Sequence, residues 1–187
     1  MSNNLAYTSV GLPLHTDNPY RDPCPTVQLL HCLAAAPTGG ASQFADGFHA
    51  AERLRDEDPE SFEVLTSTPL TFRFHDDDVD LRASRPMIEL DLRGEVVAVS
   101  VNHRSMEAPS PTHVDLDSFY RAYQRFATLL QEGQIELTLR PGELVAFDNR
   151  RVLHGRAGFE LTERRHLQGC YIDMDAIWSA ARQATSK

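Results

Sequence analysis

Ile135-Glu136-Leu137-Thr138-Leu139, the pair Pro141-Gly142, Leu144-Val145-Ala146-Phe147, Arg151-Val152-Leu153-His154-Gly155 and then His166 to Ile172 make up the stretch that decides the fold. Short apolar runs follow one another with little but turn residues between them, which predicts four strands in quick succession. The alternation of strands and crossover helices that a parallel sheet requires is missing. A double-sheet jelly roll, with a binding mouth between its sheets, is therefore favoured over a parallel α/β sheet.

Upstream segments extend the pattern. Val27 to Leu33 predicts a strand ended by Pro37 and Gly39-Gly40, with Ser42 to Ala45 pairing back on it as a hairpin. Leu70 to Phe74, Met87 to Leu92 and Val96 to Val101 alternate apolar and polar positions, and Arg93-Gly94 sits as a turn between the last two. Helices are predicted in the intervals. One follows an Asp46 N-cap through Phe48, Ala51 and Leu54, and a second opens at Pro59. A third runs from Asp115 or Asp117 to Gly133, with Phe119, Tyr123, Phe126, Leu129 and Leu130 on one face. A last helix, Asp175 to Arg182, is expected to pack Trp178 against the sheet. The class is mainly β with inserted helices.

The chain has 187 residues, which suits a single domain over 1–187. No run approaches a membrane span, and Met1-Ser2-Asn3-Asn4 has no signal-peptide character, so a soluble, cytoplasmic protein with no membrane partner is expected. Acidic residues outnumber basic ones, 27 to 18, giving a net charge of -9 that repels phosphate backbones and argues against a nucleic-acid partner. Cys24, Cys32 and Cys170 are odd in number and widely spaced, as reduced thiols are. Asp76-Asp77-Asp78 with Asp80 lacks the spacing of a calcium loop and reads as a solvated turn.

His15-Thr16-Asp17 places an imidazole and a carboxylate two residues apart, on the same side of an extended segment. Alone the triplet is weak, since such a pairing occurs by chance in many proteins. His154, far downstream on a predicted strand, supplies a candidate third ligand, against the plainer reading of a core histidine bonded to backbone. Two histidines and one carboxylate suit ferrous iron and leave open positions for a co-substrate and oxygen side by side.

Gly11-Leu12-Pro13-Leu14-His15-Thr16-Asp17-Asn18-Pro19-Tyr20, Val27-Gln28-Leu29-Leu30-His31-Cys32, Asp46-Gly47-Phe48-His49-Ala50, Pro141-Gly142-Glu143, Phe147-Asp148-Asn149, Val152-Leu153-His154-Gly155-Arg156 and Arg165-His166-Leu167 with Gly169 and Tyr171 occur in order along nearly the whole chain. This set resembles the γ-butyrobetaine dioxygenase family, within the taurine/2-oxoglutarate (TauD/TfdA-like) Fe(II)-dependent dioxygenases. The resemblance implies a double-stranded β-helix, and a hydroxylase that takes γ-butyrobetaine to L-carnitine with Fe(II), 2-oxoglutarate and O2, releasing succinate and CO2. By position it makes His15, Asp17 and His154 the iron ligands and Arg165 the partner of the distal carboxylate of 2-oxoglutarate, a pairing that the planar guanidinium fork suits. Asn4 and Leu30 match positions that line the 2-oxoglutarate pocket.

For the substrate, a trimethylammonium group cannot donate a hydrogen bond and is recognised by aromatic faces. Tyr7 and Tyr171 match cage positions, Asn102 matches a region that contacts the acidic end, and Asn18 stands where some relatives place a further aromatic. Arg150 replaces a usual tryptophan. The family's catalytic region begins before Asn3, so the chain is expected to be short at its N terminus, without further cage aromatics or the family's small zinc-binding domain. Relatives imply a homodimer. Two rivals are weighed: a phosphonate substrate such as 2-(trimethylamino)ethylphosphonate, with Arg104 supplying charge, and a non-catalytic jelly-roll remnant.

Overall fold

The computed structural model describes residues 8–112, 114–160 and 165–185. In chain order the elements are β1 (Leu12–His15), β2 (Val27–Ala34), β3 (Ser42–Asp46), α1 (Gly47–Glu57), α2 (Pro59–Ser67), β4 (Leu70–His75), β5 (Asp80–Arg85), β6 (Ile88–Leu90), β7 (Val96–Val99), α3 (Leu116–Glu132), β8 (Ile135–Leu137), β9 (Leu144–Asp148), β10 (Val152–Arg156), β11 (His166–Ile172) and α4 (Met174–Thr185). Among the described residues, no helix is long and apolar enough to cross a membrane.

Local chemistry sets the helix starts. Asp46 accepts from the backbone N–H groups of Phe48 and His49, Asp58 from Ser61 with Pro59 in the first turn, and Asp115 from Ser118. Each cap satisfies donors that the helix cannot, for about 1 kcal/mol. Between the two expected caps of α3, Asp115 takes the role.

Strands β1, β10, β3 and β8 form one sheet in that order, here sheet A, and β11, β2 and β9 form sheet B. All these pairings are antiparallel. The last four strands alternate sheets: β8 in A, β9 in B, β10 in A, β11 in B. This is how a double-stranded β-helix winds, and it overturns the expected hairpin between β2 and β3. Strand β2 has β11 on one edge and β9 on the other, so β3 pairs instead with β10 and β8 in the opposite sheet. Pro37 to Ala41 carry the chain across from one sheet to the other.

The insertion between β3 and β8 holds the main apolar core. Leu54, Leu65, Leu70, Phe72, Met87, Ile88, Phe119 and Phe126 are fully buried there, each such side chain contributing about 1.5–3 kcal/mol. Ala45 and Leu153, cross-strand partners on sheet A, join this core, while their neighbours Phe44 and His154 point to the other face, between the sheets. Strand β5, absent from the sequence-based expectation, pairs with β4, and Asp76 closes the turn between them by accepting from Asp78 and Val79.

Sheet B lacks such a cover among the described residues. Leu144 is 52% exposed, and Leu33 and Ile172 are also exposed. The expected packing of Trp178 on the sheet does not occur: its side chain is 57% exposed, and α4 has no buried residue. The helix leaves β11 with its first N–H bonded to Thr26 Oγ1.

Candidate metal centre and active site

Strand β1 pairs with β10 so that His15 lies directly across from His154, their ring centroids 4.4 Å apart. Gly155 permits this close pairing, since a Cβ there would meet Leu12 O at 2.7 Å. Both histidines are buried. His15 Nδ1 lies 2.9 Å from the carbonyl oxygen of Pro13, which only accepts, so Nδ1 carries the proton and Nε2 faces inward. Nε2 stands 3.3 Å from Asp17 Oδ1, and His154 Nε2 stands 3.6 Å from Asp17 Oδ2.

The segment holding these ligands is fixed from three sides. Thr16 donates its backbone N–H to Val101 O at 2.7 Å and accepts from Val101 N at 3.1 Å on its hydroxyl. Asn102 Nδ2 donates to Thr16 O at 2.9 Å. Asn149, fully buried, brackets Asp17: its Oδ1 accepts from the Asp17 N–H at 2.7 Å, and its Nδ2 donates to Asp17 O and Pro25 O, both at 3.0 Å. From sheet B, Gln28 Nε2 and the Tyr171 hydroxyl donate to Asp17 Oδ2 at 2.8 and 2.7 Å.

These contacts govern protonation. Burial opposes ionisation of Asp17, yet the His15 hydrogen bond, the two imidazoles and the Tyr171 hydroxyl hold it well below the usual carboxylate range. Burial, reinforced by His15, pushes His154 down to about 3 and keeps its imidazole neutral near pH 7. Burial and the adjacent Asp17 raise the Tyr171 phenol, which stays a donor. One carboxylate and two imidazoles, with ligand atoms all within 4.8 Å of one another, fit a divalent first-row metal with open positions.

The other residues singled out from sequence fall as follows. Arg165 lies at the entry to β11 and donates from Nε to Gly40 O at 3.0 Å, its guanidinium 5.8 Å from the Phe159 ring centre. It lines a cavity between the sheets with Cys32, Ala34, Gly40, Ser42 and Leu139. Gly39-Gly40, expected as a hairpin turn, makes room for this arginine. Gly40 has φ of +64°, and a Cβ there would meet Arg165 Cδ at 2.9 Å. Leu30 shares the inward face of β2 with Gln28 and Cys32, alternating along the strand, and pairs with Gly169. Asn18, at φ 55°, accepts from the Tyr20 hydroxyl at 2.7 Å. Asn102 is buried behind Thr16. Arg104 is exposed, and its charge reaches both His154 and Tyr20. Asn4 and Tyr7 lie outside the described residues.

Sequence reasoning missed the roles of Asn149 and Gln28. A signal existed for each. Gln28 is a polar residue at an inward position of a strand whose other inward residues, Leu30 and Cys32, are apolar, and Asn149 directly follows β9, which faces the metal ligands.

The chain is 43% identical over 178 residues to the γ-butyrobetaine dioxygenase of Pseudomonas sp. (strain AK-1), covering 93% of this chain and 46% of that protein. It is 37% identical to the γ-butyrobetaine dioxygenase of Homo sapiens, covering 97% and 49%. A mitochondrial trimethyllysine dioxygenase of Gallus gallus is 32% identical, covering 96% and 44%. The chain thus spans about half the length of these curated relatives. The fold superposes on a taurine dioxygenase from Burkholderia xenovorans with a TM-score of 0.69 at 20% identity, over 85% of this chain and 56% of that one. The family model described as taurine catabolism dioxygenase TauD, TfdA family, matches residues 2–171, and the chain belongs to that family.

Proposed function

We propose that residues 1–187 form a catalytic domain of an Fe(II)- and 2-oxoglutarate-dependent dioxygenase that hydroxylates a small trimethylammonium compound, most like γ-butyrobetaine going to L-carnitine. The observation that carries this reading is the meeting of His15, Asp17 and His154 within 4.8 Å at the mouth of the roll, with Arg165 lining the cavity between the same two sheets. The curated relatives, named for γ-butyrobetaine and trimethyllysine, support the substrate class.

His15 Nε2, His154 Nε2 and a carboxylate oxygen of Asp17 hold the iron. Iron with 2-oxoglutarate and oxygen supplies the oxidising power when bound, and the products are the hydroxylated substrate, succinate and CO2. The protein's share is binding and orientation. Arg165 takes the distal carboxylate of 2-oxoglutarate through its fork of donors, and by resemblance the positions of Leu30 and Asn4 belong to the same co-substrate pocket. Tyr171, Asn18 and, by resemblance, Tyr7 border the substrate, the aromatic faces receiving the trimethylammonium head, while Asn102, buried behind Thr16, supports the ligand segment instead. Arg104, an exposed cation two residues after Asn102, is the residue that would supply charge for an acidic far end of the substrate. A carboxylate or a phosphonate would meet that requirement, and comparing turnover of γ-butyrobetaine with 2-(trimethylamino)ethylphosphonate separates them.

The primary test is anaerobic addition of Fe(II) and 2-oxoglutarate to this chain, read by the metal-to-ligand charge-transfer band. The band is expected in the wild type and lost in His15→Ala and Arg165→Ala. A band followed by substrate-coupled succinate establishes the oxygenase, whereas no band from folded protein leaves the non-catalytic remnant in its place.

A further inference from the structure

We infer that Gln28 and Tyr171 are positioning residues that keep Asp17 a one-oxygen ligand, so that the metal retains an open coordination position. The inference rests on the metal-centre reading above and deepens it by assigning a task to two side chains of sheet B.

The two oxygens of Asp17 live in different surroundings. Each oxygen faces one imidazole, Oδ1 at 3.3 Å from His15 Nε2 and Oδ2 at 3.6 Å from His154 Nε2, and it is their remaining partners that differ. Oδ2 accepts from Gln28 Nε2 at 2.8 Å and from the Tyr171 hydroxyl at 2.7 Å. A carboxylate oxygen has two lone pairs, and two short donors occupy both. Oδ2 therefore has no lone pair left to bind metal, and Oδ1 is the ligand oxygen. With those donors removed, nothing described here stops the carboxylate from turning in its plane to chelate with both oxygens. That would fill a position the co-substrate or oxygen needs.

The clamp is built into the sheet register. Gln28 and Tyr171 are direct cross-strand partners in β2 and β11, so their side chains rise from the same point of sheet B toward a carboxylate that follows β1 of sheet A. Gln28 is 3% exposed, and its Nε2 makes this contact from the inward face of β2 while its Oε1 is buried without a partner among the described residues. Asn149, by contrast, holds only the backbone of Asp17 and leaves the carboxylate free to rotate. Gln28 and Tyr171 alone among these neighbours donate to Oδ2, which separates orienting the ligand from placing its backbone.

The test compares wild type, Tyr171→Phe, Gln28→Leu and the double variant in the full chain. Fe(II) affinity is measured by anaerobic titration, and Co(II) absorption is recorded as a report of coordination number. Each single variant is expected to weaken Fe(II) binding about ten-fold or more. The Co(II) spectrum should move toward higher coordination, most in the double variant. Tyr171→Phe removes one oxygen atom from a partly exposed side chain, and so keeps the idea exposed to test if Gln28→Leu folds poorly. Wild-type affinity and an unchanged Co(II) spectrum in Tyr171→Phe would overturn the clamp while leaving the metal centre intact. Failure of the wild type itself to bind either ion would overturn the metal-centre reading, and the clamp with it.

Discussion

Sheet A carries the inserted helices against its outer face, where Ala45 and Leu153 join Leu54, Phe119 and Phe126 in one dry core, while sheet B turns Leu33, Leu144 and Ile172 outward with exposed side chains. Yet both sheets supply the site. His15 and His154 rise from sheet A; Gln28, Tyr171 and Phe147 rise from sheet B, with Phe147 set against both Phe44 and His154. The difference teaches that stability and chemistry are divided unequally: the helix-covered side sets whether the domain folds, and the bare side completes a site it does little to stabilise. Elements with little buried apolar surface open first, so β11 and α4 are the part of the molecule expected to exchange amide hydrogens earliest.

The sharpest way to break this division is to strike the covered side. Phe126→Ala empties a fully buried position in α3 and is expected to cost about 3–5 kcal/mol, lowering the melting temperature by about 10 °C or more. A thermal melt with little change would mean that the insertion is not the stabilising core.

Asn149→Ala strikes the junction instead. It strips partners from the buried N–H and C=O of Asp17 and from Pro25 O, for about 3 kcal/mol, and it frees the ligand segment, so stability and Fe(II) binding should fall together. Loss of metal binding with an unchanged melt would assign Asn149 to the site alone.

A third probe is pH. Burial keeps His154 at about 3 in the folded chain, against ~6.5 when unfolded. Between those values the unfolded state binds a proton that the folded state refuses, so metal-free stability is full above about pH 6.5 and declines as pH falls toward 3. At pH 5 the loss is about 2 kcal/mol. Urea midpoints of metal-free wild type and His154→Gln at pH 7.5 and 5 check this; the difference should shrink in the variant.

Against this picture, what the sequence allowed is instructive. The starts of α1, α2 and α3 were legible because their signals are local: Asp46 at α1, Pro59 in the first turn of α2, and Asp115 or Asp117 at α3, where the structure assigns the cap to Asp115 and shows that Asp58 caps α2. Strand partners were not, because the apolar run of β2 says nothing about whether β3 or β11 will lie beside it. Strand β5 was hidden by Asp80, Arg82 and Ser84, which are exposed or half-exposed and balance one another or solvent. The candidate metal-binding group of His15, Asp17 and His154 was legible from His15-Thr16-Asp17 and from the ordered motifs shared with the family. Asn149 and Gln28 escaped because their work is done on Asp17, 132 and 11 residues away, through geometry that only the roll creates.

The smallest expected effect completes the contrast. Trp178 is the chain's one tryptophan, so its fluorescence reports α4 alone. At 57% exposed it should be quenched by acrylamide in the folded protein nearly as well as in urea. Trp178→Ala and Leu144→Ser, on the uncovered side, should each shift stability by no more than about 0.5 kcal/mol, the range of ordinary surface changes. That is several-fold less than Phe126→Ala, although Trp and Phe bring similar apolar areas to wherever they are buried. A protected Trp178, or a loss of about 2 kcal/mol in either variant, would mean that sheet B and α4 are covered in solution, and that the bare side is a binding face and not a free surface.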